Sequence, residues 1–380
     1  MNLRGVIAAF IAIVLLVPGV ASAAQVGIRN VCPPVEIEPR GREFEPGGII
    51  LTTFDRSALW VYDIDRGRRY PLPETFPCPT NCRLSPDARW LVYFNDLTNA
   101  FNRMRVDGTG RVLVTANAAQ VEYWSADTWL VWTPGRSAYL LREGTGESEL
   151  LDVRGVVSVQ PGGRWGLLVE AQGDGFQRAL VNLQDRAQRV ELGVDLAYFD
   201  DSAWSPDGSR LAFAAPVYRD DPQTPAGTEL FLVAPNDLAP VQVTRLTDVY
   251  GTARINGLAA SALSWSPDGT RIAFWVIDLA GGDPETGGLA GELHILDVTT
   301  RALTKFCQTT IDTHTPNPPR LAWSPDGTHI AYGTDLRDDE RPAVLLALDT
   351  ASGVVTLLSE GLYPALGAPD VTAWGLPPGR

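Results

Sequence analysis

The sequence predicts an all-β repeat protein, and three observations carry that prediction. One decapeptide recurs almost unchanged, as Trp204-Ser205-Pro206-Asp207-Gly208-Ser209-Arg210-Leu211-Ala212-Phe213, Trp265-Ser266-Pro267-Asp268-Gly269-Thr270-Arg271-Ile272-Ala273-Phe274 and Trp323-Ser324-Pro325-Asp326-Gly327-Thr328-His329-Ile330-Ala331-Tyr332. Weaker copies fill the chain before them at nearly even spacing. Short segments of period-two hydrophobicity lie between the copies, as half-buried strands require.

Each copy joins a strand ending in Trp to a second strand through a tight turn. Proline presets φ, aspartate can hydrogen-bond its own backbone, and glycine accepts the left-handed conformation that closes the hairpin. The weaker copies are Glu45-Pro46-Gly47-Gly48, Leu84-Ser85-Pro86-Asp87, Trp124-Ser125-Ala126-Asp127 and Val159-Gln160-Pro161-Gly162-Gly163. Equivalent positions Gly47, Asp87, Asp127, Gly162, Asp207, Asp268 and Asp326 are 40, 40, 35, 45, 61 and 58 residues apart. The first four steps fit one four-stranded unit of about 40–45 residues, and the last two require inserted loops. A third strand follows each turn unit, as in Leu59–Asp63, Leu230–Val233, Leu293–Asp297 and Leu345–Asp349. A fourth comes after it, as in Val241–Arg245 and Val354–Leu358, with the polar alternation of an exposed edge.

The closing stretch Val371–Arg380 repeats the inner strand and its Trp, Trp374, and then stops, whereas Gly47-Gly48 begins a unit that lacks an inner strand. The tail is therefore expected to supply the innermost strand of the sheet whose other strands come from residues 48–73. Such closure removes free edges from the assembly. The Trp at 124, 204, 265, 323 and 374 is expected to pack between neighbouring units, where truncation to Ala costs about 3–5 kcal/mol.

These residues resemble the TolB-type β-propeller repeat, whose hallmark is a W-S-P-D-G turn followed by an I-A-F strand. The resemblance covers most of the mature chain, and it implies an all-β, seven-bladed β-propeller of four-stranded antiparallel blades. Six blades would result if residues 128–192 made one irregular blade. It also implies an extracytoplasmic protein-interaction role, although TolB proper carries an α/β domain before its propeller for which this chain has no room. Propellers host many unrelated functions, so function must be argued from sites.

Residues 1–23 have the layout of a secretory signal peptide: Arg4, an apolar run from Val6 to Val17, the break Pro18-Gly19, and Ala21-Ser22-Ala23 as a cleavage site. The alternative is an uncleaved anchor, since the run approaches the ~20 residues of a membrane span. Residues 24–43 form an N-terminal arm and 44–380 the propeller. A net charge of −14 disfavours nucleic-acid binding. The four cysteines, Cys32, Cys78, Cys82 and Cys307, favour disulfides in an exported chain. A local Cys78–Cys82 bridge, with Cys32 tying the arm to Cys307, is the simplest pairing.

In this strand order the hallmark turns share one face of the ring with the third-to-fourth strand turns. All long insertions open on the other face, where binding on a rigid scaffold is usually placed. The expected recognition residues are Tyr218, Arg219, Asp220, Asp221, Tyr250, Arg254, Asp283, Glu285, Arg337, Asp338, Asp339 and Arg341. The partner is expected to be a protein or an envelope-associated polymer, bound by a monomeric, non-catalytic scaffold without cofactor or metal. The alternative is a propeller enzyme, a lyase or hydrolase acting on a carbohydrate at the central channel. Some TolB-like propellers are sugar-acid lyases with a histidine cluster and a metal. Here the three histidines fall at unmatched places: His294 in a core strand, His329 at a surface position after a turn, and His314 in a loop. No G-x-S-x-G element is present, and no calcium-loop spacing accompanies Asp220-Asp221 or Asp338-Asp339.

Overall fold

A computed structural model describes residues 27–34, 37–41, 44–53, 58–75, 82–135, 137–173, 175–195, 202–219, 226–255, 263–277, 289–307, 311–313, 319–334, 344–360 and 370–379. They form a seven-bladed β-propeller of antiparallel four-stranded blades. Blade 1 consists, from inside out, of Asp370–Gly375, Ile49–Thr53, Leu59–Asp63 and Arg68–Leu72. Blades 2 to 7 follow in sequence at 83–116, 120–151, 156–195, 202–242, 264–306 and 322–359. Residues 128–192 are divided between blades 3 and 4, which excludes the six-bladed alternative. Ring closure is as expected, with Trp374 opposite Ile50 and Ala373 opposite Leu51.

The hallmark turn owes its recurrence to a hydrogen-bond set that fixes it locally. Ser205 Oγ donates to Asp207 Oδ1 (2.6 Å), Ser209 N–H donates to the same oxygen (3.0 Å), and Arg210 N–H donates to Ser205 Oγ (3.0 Å). The Ser266–Asp268 and Ser324–Asp326 turns repeat it. The Ser205 hydroxyl is the main reason the Asp207 carboxyl lies below the usual carboxylate range. In blade 4, Gln160 Oε1 replaces the serine hydroxyl and accepts from Arg164 N–H and Trp165 N–H. Gly208 is required twice over: φ is +68°, and a Cβ would stand 2.4 Å from Pro161 O of the preceding blade. The turns also latch blade to blade, since Gln160 Nε2 donates to Gly208 O and Arg271 Nη2 to Gly327 O.

Among the described residues, buried apolar side chains fall into seven clusters, each bridging two adjacent blades. The hallmark tryptophans belong to these junctions, as expected. Trp265 Nε1 donates back to Ala203 O of blade 5, and Trp323 Nε1 to Ser264 O of blade 6.

The arm has regular structure that its sequence does not announce. Arg29–Val31 adds parallel to the outer strand Leu303–Phe306 of blade 6, and Glu38–Pro39 adds parallel to Val355–Ser359 of blade 7. The outer strands of these two blades are therefore not edges, contrary to the pattern expected of every fourth strand. Their buried Leu303, Phe306, Val355 and Leu358 explain why they need a cover. A Cys32–Cys307 disulfide fastens the arm to blade 6 as expected. Cys82 is also disulfide-bonded, and its expected partner, Cys78, lies outside the described residues.

Candidate functional site

The rim between blades 5 and 6 carries a cleft of about 360 Å³. Its first wall is residues 242–249, which leave the outer strand of blade 5 and turn into a short helix, Leu246–Tyr250. The fully buried Glu229 sets this wall. Its carboxylate accepts from Thr244 Oγ1, Leu246 N–H, Thr247 N–H and Thr247 Oγ1 at 2.7–2.8 Å. Four donors on one carboxylate satisfy a charge that would otherwise be costly to bury. Gly227 lets the following segment lie close, because a Cβ there would stand 2.6 Å from Ala253 O. The second wall is the start of the arm, Gly27 and Ile28, with Arg301 and Leu303 of blade 6. Val217, Tyr218 and Arg219 close the end nearest the insertion-bearing face.

The charges of the cleft are unequal. Arg219 Nη2 donates to Thr247 Oγ1 (3.0 Å) and pairs with Asp248, so those two charges cancel. Arg245 and Arg301 are exposed and have no carboxylate partner among the described residues. Exposed Tyr218, Val241 and Val249 add apolar surface beside them. The result is a cationic, partly apolar cleft on a protein of net charge −14.

Of the four expected recognition residues that are described, Tyr218 and Arg219 meet in this cleft. Tyr250 is half-buried just behind it, and its hydroxyl lies 2.8 Å from His294 Nε2. Arg254 sits in a two-stranded extension of blade 6, opposite Ile277. Asp220, Asp221, Asp283, Glu285, Arg337, Asp338, Asp339 and Arg341 lie outside the described residues, as does His314. Sequence reading missed Arg245 and Arg301, which flank the cleft from different blades. The only signal was position: Arg245 ends the fourth-strand segment of blade 5, and Arg301 lies in the third-to-fourth strand turn of blade 6.

His294 is a core residue, as expected. It is fully buried, stacks on Phe274, and directs Nδ1 to Glu292 O (3.0 Å) and Nε2 to the Tyr250 hydroxyl. Burial holds its pKa down to about 4, helped by the Lys305 charge and opposed by the Glu292 carbonyl. Burial likewise pushes the Tyr250 hydroxyl up to about 12, with a smaller contribution from Glu292. Neutral His294 therefore carries its proton on Nδ1 and accepts from Tyr250. His329 differs from expectation: it is half-buried, and Phe44, just after the arm, packs edge-on against its ring. It borders a second cleft, of about 570 Å³, with Glu38, Glu45 and Asp349. Among the described residues, no three metal-ligating side chains converge there or elsewhere.

No protein-family model matches the chain, and no curated protein matches its sequence. Solved structures do. The chain is similar to TolB from Acinetobacter baumannii, with 16% identity and a TM-score of 0.43 over 85% of this chain and 81% of that one. It is similar to an oligogalacturonate lyase from Vibrio parahaemolyticus, with 12% identity and a TM-score of 0.48 over 83% and 86%. It is also similar to a puromycin-hydrolyzing peptidase of Mycobacterium tuberculosis, with 14% identity and a TM-score of 0.49 over 86% and 56%. Likenesses at these identities are likenesses of fold.

Proposed function

We propose that the chain is an extracytoplasmic, non-catalytic scaffold that captures an anionic protein or envelope-associated polymer on the rim between blades 5 and 6. The observation that carries this reading is the pair Arg245 and Arg301, without carboxylate partners among the described residues at the mouth of a cleft in an acidic protein. Unpaired cations on a negative molecule select partners of the opposite sign and speed their encounter. Tyr218 and Val249 supply the apolar contact that lets such an encounter persist. An outside location is supported by the leader-like residues 1–23 and by the Cys32–Cys307 disulfide, which oxidising compartments preserve. A binding rather than catalytic role is supported by His294, whose two ring nitrogens are both engaged within the fold.

The test is a photo-crosslinking side chain at Tyr218 in the exported protein, with the same group at Leu150 on the rim of blade 3 as a control. A discrete adduct is expected from Tyr218 alone, lost in the Arg245→Glu/Arg301→Glu variant. Equal adducts from both positions, or an adduct indifferent to charge reversal, would remove the reading.

A further inference from the structure

The arm shows how this propeller accepts an added strand. On blades 6 and 7 an extended segment lies outside the fourth strand and runs parallel to it. On blade 6 that segment starts at the blade 5–6 cleft, whose wall includes Gly27 and Ile28. Beyond it the next outer strand, Val241–Gln242 of blade 5, is uncovered among the described residues. Its backbone is set up for pairing. Val243 N–H donates inward to Leu230 O (2.9 Å), and Val241 lies opposite Leu232 in the same register. Antiparallel alternation then turns the N–H and C=O of Gln242 outward, away from the blade.

Other open rims differ. The outer strand of blade 1 contains Pro71, which cannot donate to a neighbour. Blades 2 to 4 expose Leu113, Leu150 and Val194, but arginines beside them are already ion-paired, Arg111 to Glu74, Arg164 to Glu149 and Arg189 to Glu191. Among the described residues, blade 5 alone joins an uncovered edge to a groove with a second wall and to uncommitted positive charge.

We propose that an extended, acidic peptide segment of a partner protein docks in this cleft as an added strand, parallel to Val241–Gln242, with its carboxylates on Arg245 and Arg301. This rests on the binding-scaffold reading and names its ligand. The peptide continues the girdle that the arm begins: main-chain hydrogen bonds to Gln242 supply affinity, and the two arginines supply selection. The arm fixes the direction, because all outer strands run from the hallmark-turn face to the insertion-bearing face.

The experiment is fluorescence anisotropy with the full chain and a labelled short peptide alternating glutamate with valine. Three further probes are used: one replaces glutamate by glutamine, and two carry N-methyl groups on the amides of one strand face or of the other. The acidic probe should bind, and the glutamine probe should bind at least about tenfold more weakly. Methylation of one face should abolish binding and methylation of the other should spare it. Gln242→Pro removes an outward N–H, a change that sheet edges tolerate. It should keep the thermal transition and weaken the acidic probe, as should Arg245→Glu/Arg301→Glu. If the acidic probe binds through the arginines but both methylated probes bind equally, strand addition is wrong and the scaffold reading stands. If no probe binds while the Tyr218 adduct persists, the peptide ligand is wrong and the scaffold reading again stands. Self-association of the chain abolished by Arg245→Glu/Arg301→Glu would make the occupant a second copy and overturn the proposal.

Discussion

His294 lies between Phe274, Tyr250, Glu292 and Lys305, and the fold keeps its ring neutral. Its folded pKa of about 4 is below the unfolded value of about 6.5. Between these values the unfolded chain takes up a proton that the folded chain refuses. Stability is therefore fully present above about pH 6.5 and is lost as pH falls toward 4, by on the order of 3 kcal/mol. Urea unfolding across this range should show the decline in the wild type and a flatter profile in His294→Leu. Equal slopes in both proteins would assign the decline to other groups. Lys305 and Glu292 form an ion pair beside the ring.

At the level of the element, the tryptophan that ends the inner strand in five of the blades packs at a junction with another blade, but not with the same bonds everywhere. Trp265 and Trp323 donate Nε1–H to the inner strand of the preceding blade, whereas Trp204 Nε1 is buried without a partner among the described residues. Replacing Trp265 or Trp323 by Phe leaves a carbonyl unpaired, so it should cost about 1 kcal/mol more than Trp204→Phe. Chemical denaturation of the three variants measures this, and equal losses would mean that ring packing alone matters. The turns and tryptophans were legible in sequence because Ser, Pro, Asp and Gly each do their work within a few residues. The variant turn with Ala88 was legible too, although Ala88 takes φ +58° where its sisters use glycine. The arm's strands were not, since pieces as short as Arg29–Val31 and Glu38–Pro39 carry no periodicity. Nor was the Tyr250–His294 contact, which spans 44 residues and depends on a five-residue helix without a side-chain cap. The cleft was only partly legible: Tyr218 and Arg219 are near neighbours in sequence, but Arg245 and Arg301 converge only through the angle between two blades.

For the molecule as a whole, two long-range ties hold different things. The C-terminal strand closes the ring through Ile49–Thr53, and Cys32–Cys307 fastens the arm across a separation of 275 residues. Chain-entropy reasoning gives a cross-link over so long a loop about 5 kcal/mol, at the top of the usual range. Cys32→Ser should lower the unfolding midpoint, and hydrogen exchange should quicken first at Arg29–Val31 and Leu303–Phe306. Exchange that quickens equally in blades 2 to 4 would show that arm and ring open together. Closure by the tail also imposes a timetable. A polypeptide made from its amino end must carry Ile49–Leu72 unfinished while six later sheets are assembled. The last segment to arrive is the one the earliest has been waiting for, so interruption at almost any stage leaves a gap at the same place, open to proteases and to strangers.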